Sequence, residues 1–281
     1  MKLDLSRVRA QVRGALSEDL GTGDRTSGRL VPRSRRGRGT MVAREALTVA
    51  GLPVARLVFL LTDPGVRFRA LVREGARARS GDRLARVSGT VASILAAERT
   101  ALNYLQHLSG IATYTAGCVR TARGRCLVRD TRKTAPGLRV LEKYAVRVGG
   151  GVNHRLGLFD GVLIKRNHWR VCGGVGDAVR RTLRAPGEGR REIQVEVSSL
   201  AQLREALEAG ARSVLLDNMS LGQLRRAIPL ARGKAFTEVS GGIRRENLER
   251  FAALRPDSVS LGALTHSARW VDISLILEPI T

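Results

Sequence analysis

The chain of 281 residues is predicted to fold as an α/β protein whose larger, C-terminal part is built on parallel strands. A hydrophobic fraction of 43% beside a charged fraction of 26% indicates a packed core. From residue 126 onward, short β-rich runs alternate with amphipathic segments, and nearly every run ends in a charged residue or a glycine. Strand, helix and strand in this order predict parallel strands joined by right-handed crossovers.

The first third of the chain follows another pattern, and the composition changes near residue 110. A helix is predicted over 4–20 and a turn-rich segment over 21–38. Strand-like pieces are placed at 39–44, 46–50, 66–72 and 83–87. The last of them leads into a long helix over 91–108, which is predicted from apolar residues that fall on roughly one helical face, namely Ile94, Leu95, Leu102, Leu105 and Leu108.

Six strands and five helices are predicted after residue 126. The strands are placed at 126–128, 161–164, 193–197, 213–216, 235–239 and 258–261. Amphipathic spacing places helices at 138–148, 176–184, 201–209, 221–231 and 245–254. Six such units favour a barrel over an open sheet, while periodicity alone leaves the closure of the sheet undecided.

The residues at the ends of these strands are the candidates for function, because the turn after a buried strand does not need charged residues. They are Asp130, Thr131, Arg132, Lys133, Lys165, Arg166, Asn167, His168, Glu196, Asp217, Asn218, Ser240, Gly241, Gly242, Gly262 and Ala263. Barrel enzymes build their active sites at the C-terminal ends of several strands. The sequence therefore predicts one mouth that gathers lysines, carboxylates, arginine, histidine and two glycine-rich loops.

The chemistry of this mouth suits an anionic, phosphorylated substrate. The loops at 240–242 and 262–263 follow late strands, where free backbone N–H groups and helix N-termini commonly bind phosphate. Glu196 and Asp217 lie close to several cations in this arrangement, which suggests either a divalent metal or a developing positive charge that needs stabilisation. The chain shows neither a hydrolytic triad nor a dinucleotide-binding fingerprint.

The formal charge of +24 raises the alternative of a basic nucleic-acid-binding protein. Two features argue against nucleic acid as a partner. Arginine is scattered from Arg7 to Arg269, and aromatic residues, which stack on bases, make up only 4% of the chain. Of the 49 basic residues only five are lysines, namely Lys2, Lys133, Lys143, Lys165 and Lys234. A general preference for Arg explains the charge and makes each lysine informative, because Lys and Arg are not interchangeable at a catalytic site.

Cysteine usage and hydropathy indicate the compartment. Three cysteines at irregular spacing, without a C-x-x-C pair, support neither a disulfide framework nor a zinc site. No stretch reaches the roughly 18 apolar residues of a membrane span, and the start lacks the apolar run of a secretory signal. A cytoplasmic protein without a membrane partner is predicted.

The most specific motif in the chain is DTRKT at 130–134, followed by PGLR at 136–139. Further motifs are EDLGTGDRT at 18–26, ERTALN at 98–103, LSGIAT at 108–113, NHR at 153–155, LIK at 163–165, LDNM at 216–219, SGGI at 240–243 and LGALTHS at 261–267. Their identity and order over almost the whole chain resemble the quinolinate phosphoribosyltransferase family.

The resemblance implies a subunit of two domains. These are an N-terminal α/β sandwich over 1–112 and 268–281 and an incomplete, seven-stranded α/β barrel over 113–267. It implies an enzyme of NAD biosynthesis that joins quinolinate to phosphoribosyl pyrophosphate and releases pyrophosphate and carbon dioxide, leaving nicotinate mononucleotide. It also implies a homodimer in which Arg99 of one subunit reaches into the neighbouring site.

The resemblance assigns roles to the residues of the mouth. Lys133, Glu196 and Asp217 are implied to be catalytic, the two acids facing the ribose and a magnesium ion. The carboxylates of quinolinate and the phosphates are implied to bind Arg99, Thr131, Arg132, Lys133, His154, Arg155 and Lys165. The cradle of the 5-phosphate is implied to consist of Ser240, Gly241, Gly242, Leu261, Gly262 and Ala263.

Two positions depart from the pattern of the family. Arg166 stands where an acid usually follows the strand lysine, and Gln194 replaces the first acid of a Glu-x-Glu pair. Both changes make the mouth more positive. They leave open a diverged phosphoribosyltransferase that acts on another pyridine or aromatic acid, or a regulatory relative that binds phosphoribosyl pyrophosphate without turnover. The other histidines are predicted to be structural, namely His107, His168 and His266.

Overall fold

The computed structural model describes residues 3–185 and 193–279, which group into two compact units. The first unit comprises Met1–Ala116, Ala135–Gly150 and Ala268–Thr281, and the second comprises Gly117–Thr134 and Gly151–Ser267. The outermost residues of the predicted sandwich domain, 1–2 and 280–281, and the barrel segment 186–192 lie outside the described residues.

Helices and antiparallel strands make up the first unit. After a 3-10 turn over Leu5–Val8, its helices are α1 (Arg9–Leu20), α2 (Ser27–Leu30), α3 (Leu52–Thr62), α4 (Val91–Ala122), which continues into the second unit, and α5 (Arg139–Val148). Its strands are β1 (Arg36–Ala43), β2 (Leu47–Thr48), β3 (Arg67–Ala70), β4 (Arg77–Ala78), β5 (Arg83–Thr90) and, at the C-terminus, β12 (Ile273–Pro279). Four of them form an antiparallel sheet in the order β12-β1-β5-β3, while β2 pairs with β4.

Strand β12 and the second half of α4 were not predicted from the sequence. The helix α4 continues through Gly110, where glycine is required because a Cβ would clash with the backbone oxygen of Arg269. Strand β12 pairs in register with β1, from Gly37 opposite Pro279 to Ala43 opposite Ile273. Local sequence patterns do not reveal a pairing between segments so far apart in the chain.

The segment 135–150 groups with the first unit, whereas the family resemblance places it in the barrel domain over 113–267. Glu142 of α5 is fully buried and accepts hydrogen bonds from His107 Nε2 at 3.0 Å and from the Ala135 N–H at 3.2 Å. Tyr144 donates its hydroxyl to Glu74 Oε2 at 2.6 Å. Burial and then this carboxylate raise the pKa of Tyr144, so its hydroxyl remains a donor. These contacts attach α5 to the first unit.

The second unit is built on a parallel sheet of six strands. They are β6 (Leu127–Arg129), β7 (Val162–Ile164), β8 (Ile193–Val197), β9 (Ser213–Asp217), β10 (Phe236–Ser240) and β11 (Ser258–Ser260), in the order β6-β11-β10-β9-β8-β7. Each of the six predicted runs is a strand, and Val152 adds an isolated parallel bridge to Arg129 in place of a seventh strand. The predicted α/β class, with a separate N-terminal sheet unit, is confirmed.

Six helices follow the strands of the second unit. They are α6 (Arg166–Val171), α7 (Val175–Arg184), α8 (Leu200–Glu208), α9 (Leu221–Ala231), α10 (Leu248–Ala252) and α11 (Ala263–His266). Ser199 and Ser220 cap α8 and α9 by accepting hydrogen bonds from the N–H groups of Gln202 and Gln223. Helices α6 and α11 were not predicted, because four to six residues are too few for a helical period to show. Over the described residues, no helix combines the length and the apolar character needed to cross a membrane.

Candidate active site

A cavity of about 670 Å³ opens at the carboxyl ends of the strands of the second unit. This volume is typical of pockets that bind small molecules, which measure roughly 300–1,000 Å³. Its wall contains residues two apart on the same strand, such as Leu215 with Asp217 and Glu238 with Ser240. Alternate residues of a strand point to the same side of a sheet. The cavity is therefore lined by one face of the parallel sheet and by the loops that follow it.

Among the strand-end candidates, Asp130, Arg166, Asn167 and His168 do not line the cavity. It collects all of the site residues that the family resemblance implied except Arg99 and Leu261. Those that line it are Thr131, Arg132, Lys133, His154, Arg155, Lys165, Glu196, Asp217, Ser240, Gly241, Gly242, Gly262 and Ala263. Arg99 is exposed on α4 in the part assigned to the first unit. The side chain of Leu261 is fully buried, and its N–H donates to the backbone oxygen of Arg129 at 3.0 Å. The lysines and the acids thus lie at the same end of the strands, as the sequence predicted.

The loop after β6 holds Lys133 by its backbone. The Lys133 N–H donates to Thr131 Oγ1 at 3.0 Å, and its carbonyl accepts the hydroxyl of Thr265 at 2.7 Å. A Cβ at Gly262 would lie 3.0 Å from Lys133 Cδ, which is closer than ordinary contact. Glycine at 262 therefore gives the lysine side chain room to pass along the loop that follows β11.

Arg155 is a cation whose side chain is anchored in the wall of the cavity. Its Nη1 donates to the backbone oxygen of Gly161 at 3.0 Å, and the side chain lines the cavity. Burial, and after it the neighbouring Arg132, lowers the pKa of Arg155, while Asp160 raises it. A guanidinium nevertheless remains charged, because its ordinary pKa lies far above neutral pH. Arg155 is therefore held in the cavity wall as a permanent cation.

Two carboxylates, Glu196 at the end of β8 and Asp217 at the end of β9, face the same cavity. Glu196 Oε1 accepts a long hydrogen bond of 3.4 Å from the Arg166 N–H. Asp217 Oδ2 accepts the amide of Asn218 at 2.7 Å. Within 3–185 and 193–279 there is no group of three or more His, Cys, Asp or Glu side chains that could hold a metal by itself. Two carboxylates match an ion such as Mg²⁺, which commonly takes its other ligands from water and substrate oxygens.

The loop after β10 has the backbone geometry of an anion site. Gly241 has φ +106° and Gly242 has φ +62°, conformations that favour glycine. A Cβ at Gly241 would also clash with the side chain of Asn218. Asn247 braces the loop by donating its side-chain amide to the Gly242 oxygen at 3.0 Å. No described residue accepts a hydrogen bond from the N–H of Gly241 or Gly242, so both donors can serve an anion.

The buried polar group formed by Glu238, Gln194 and Arg129, which we call the floor of the cavity, was not predicted to be part of the site. Glu238 lines it and is fully buried, one layer below Ser240 on β10. Its partners are Arg129 and Gln194, at 2.6 and 3.2 Å. The signal was available, since Glu238 lies two residues before Ser240 and shares its side of the strand. His266, predicted to be structural, also lines the cavity, and its Nδ1 lies 2.7 Å from Ser267 Oγ.

Comparison with known proteins gives matches over nearly the whole chain. Residues 24–109 match the Quinolinate phosphoribosyl transferase, N-terminal domain, and residues 111–276 match the Quinolinate phosphoribosyl transferase, C-terminal domain. The nicotinate-nucleotide pyrophosphorylase [carboxylating] of Mycobacterium leprae is 44% identical over 98% of both chains. A probable enzyme of the same name from Bacillus subtilis is 40% identical over 92% of this chain and 89% of its own.

Solved structures agree with these relatives. The crystal structure of NadC from Streptococcus pyogenes superimposes with a TM-score of 0.95 and 41% identity over 100% of both chains. The nicotinate-nucleotide pyrophosphorylase from Francisella tularensis gives a TM-score of 0.92 and 37% identity over 99% of this chain and 98% of its own. The resemblance seen in the motifs is confirmed, and the chain belongs to the quinolinate phosphoribosyl transferase family.

Proposed function

We propose that the chain transfers the phosphoribosyl group of phosphoribosyl pyrophosphate to quinolinate, with release of pyrophosphate and carbon dioxide, and so forms nicotinate mononucleotide for NAD biosynthesis. The names of the relatives, nicotinate-nucleotide pyrophosphorylase [carboxylating] and quinolinate phosphoribosyltransferase [decarboxylating], support this reaction. The observation that carries it is one cavity that contains cations for carboxylates, a glycine loop for phosphate and two acids. The cytoplasm is the compartment that we propose for this reaction.

Different residues of the cavity can bind different groups of the two substrates. The glycine loops hold the 5-phosphate through backbone N–H groups, while Arg132, Arg155 and Lys165 hold the carboxylates of quinolinate. Placing two reactants in contact can lower a barrier by about 7–11 kcal/mol in favourable cases. The pyridine nitrogen then bonds to the ribose carbon from which pyrophosphate departs.

Positive charge develops on the ribose first, and negative charge develops on the pyridine ring later in the reaction. As pyrophosphate leaves, positive charge develops on the ribose, and the carboxylates of Glu196 and Asp217 stabilise it. The pyridine nitrogen of the product is cationic, so it stabilises the electron pair left on the adjacent ring carbon when carbon dioxide departs. A proton then adds to that carbon. The protein thus needs acids beside the ribose and cations around the pyridine, and the cavity contains both.

Magnesium is part of this proposal. Glu196 and Asp217 would hold the ion together with oxygens of phosphoribosyl pyrophosphate, which suits a site that offers only two carboxylates. The ion would neutralise charge on the leaving pyrophosphate.

The test is a turnover assay with quinolinate and nicotinate side by side, with and without magnesium. We expect one carbon dioxide and one pyrophosphate per turnover with quinolinate, and none with nicotinate, because only a dicarboxylate can lose one carboxyl group and keep the other. Removal of magnesium should reduce the rate. Turnover of nicotinate would favour the diverged transferase. Tight, salt-sensitive binding to duplex DNA without turnover would favour the nucleic-acid-binding alternative.

We also propose a homodimer in which Arg99 of each subunit completes the site of the other. The exposure of Arg99 on α4 is compatible with a contact to a second subunit. Arg99→Ala and Lys133→Ala subunits should each be inactive alone. Mixed one to one, they should recover about one quarter of the wild-type activity, because half of randomly formed dimers are mixed and one of the two sites in each is intact. No recovery in mixtures shown to exchange subunits would contradict the shared site.

A further inference from the structure

The floor of the cavity is a connected set of buried polar groups. Glu238 is 0% exposed and Gln194 is 7% exposed. Glu238 Oε2 accepts hydrogen bonds from Arg129 Nη1 at 2.6 Å and from Gln194 Nε2 at 3.2 Å. A buried carboxylate is costly unless it is paired with a cation and hydrogen-bonded. Glu238 has both kinds of partner, and a carboxylate accepts hydrogen bonds and donates none.

The hydrogen bonds of Gln194 determine which ring nitrogen of His154 carries the proton. Because Gln194 donates its amide nitrogen to Glu238, its amide oxygen is the group that faces His154 Nε2, at 3.0 Å. An amide oxygen only accepts, so His154 must carry a proton on Nε2. The other ring nitrogen, Nδ1, accepts the N–H of Arg155 at 2.8 Å. The imidazole is therefore neutral, with its proton on Nε2 and both nitrogens engaged by the protein.

A second acceptor reinforces this tautomer. Glu238 Oε1 is buried without a hydrogen-bond partner among the described residues, and it lies 3.8 Å from the same His154 Nε2. Two acceptors thus face one N–H, and both favour a proton at that position. Asp130, which is fully buried, holds the backbone by accepting the His154 N–H at 2.7 Å. The backbone and the ring of His154 are fixed from different sides.

We propose that Gln194 and Glu238 are positioning residues that act through His154 to set Arg155 for the anionic substrate. The chain of contacts runs from the Glu238 carboxylate through the Gln194 amide and the His154 ring to the N–H of Arg155. Arg155 is also anchored at Gly161 and lines the cavity, where its guanidinium can meet a carboxylate. His154, which the family resemblance implied to bind substrate, would in addition orient the neighbouring arginine. The kinetic part of this proposal rests on the proposed function.

Nitrogen-15 NMR of histidine-labelled protein tests the tautomer directly. The chain has four histidines, and the signals of His154 are those that disappear in His154→Asn. We expect the free wild-type protein at neutral pH to show His154 with a proton on Nε2 and none on Nδ1. A proton on Nδ1, or on both nitrogens, would overturn the proposal. This measurement needs no variant of the floor and therefore stands even if such variants fold poorly.

Gln194→Met tests the positioning role, because methionine has a similar length but lacks the amide donor and acceptor. We expect the Nε2 signal of His154 to shift, because the Nε2–H loses its acceptor at 3.0 Å, and the KM for quinolinate to rise about tenfold, the effect of about one hydrogen bond. The KM for phosphoribosyl pyrophosphate should change by less than about twofold, since the hydrogen bonds of Gln194 go to His154 and Glu238 and not to the loops proposed to bind phosphate. Gln223→Met, at an exposed position on α9, is the matched control and should leave both readouts unchanged.

The outcomes separate this proposal from the proposed function. An unchanged KM for quinolinate in folded Gln194→Met, or equal rises in both KM values, would refute the positioning role. If the wild-type protein did not turn over quinolinate, the proposed function would fail. The spectra of the wild type and of Gln194→Met would then still decide whether the floor sets the ring of His154.

Discussion

Replacement of Lys133 by alanine is expected to lower kcat/KM by about a hundred- to a thousandfold, the loss that follows removal of one preorganised charge or donor at a transition state. The backbone of Lys133 is held by hydrogen bonds to Thr131 and Thr265, and its side chain lines the cavity from this fixed position. Steady-state kinetics with both substrates measures the loss. Since the backbone contacts do not use the side chain, the variant should keep the fold, which circular dichroism checks.

Two further substitutions sharpen this test. Lys133→Arg should restore little activity, because its larger planar group must fit beside Gly262, where Lys133 Cδ already packs closely. Lys234→Ala removes another lysine, exposed before β10 at the opposite end of that strand, and should leave the kinetics unchanged. Full activity in Lys133→Ala would remove this lysine from the catalytic set.

The rim of the cavity was predictable from sequence because its residues break a local rule. The turn after a buried parallel strand needs no charged residue, yet the charged Lys165 follows β7 and the charged Asp217 ends β9. A glycine loop at 240–242 stands at the end of β10. Because the strands are parallel, their carboxyl ends lie at the same edge of the sheet. Local pattern and topology together were sufficient to bring these residues into one cavity.

The floor and the attachment of α5 depend on contacts that no local pattern reveals. Glu238 is a buried charge in the middle of strand β10, and its partner Arg129 is 109 residues away. Tyr144 meets Glu74 across 70 residues, and this contact ties α5 to the first unit. Helical periodicity predicted α5 itself but not the unit on which it packs. Predicting such contacts requires three-dimensional packing in addition to the order of the elements.

The two departures from the family pattern occupy different environments. The side chain of Arg166 is exposed at the start of α6, and its backbone N–H faces Glu196. Gln194 is buried in the floor, where its amide joins an imidazole to a carboxylate. A glutamate at 194 would face Glu238 at about the same 3.2 Å distance without a proton to donate. Gln194 is therefore suited to a floor that already contains one buried carboxylate.

Glu196→Gln is expected to reduce kcat by about a hundred- to a thousandfold, because it removes a negative charge beside the developing positive charge of the ribose. Glutamine has the same shape and keeps an oxygen that can accept the Arg166 N–H, so the change isolates the charge from the contact. The KM for quinolinate should change little, since the cations proposed to hold its carboxylates are untouched. Glu208→Gln, at an exposed position on α8, is the matched control and should retain full activity. If Glu196→Gln kept kcat within about twofold of the wild type, the acid at 196 could not be stabilising charge in the transition state, and the carboxylate of Asp217 would have to do so alone.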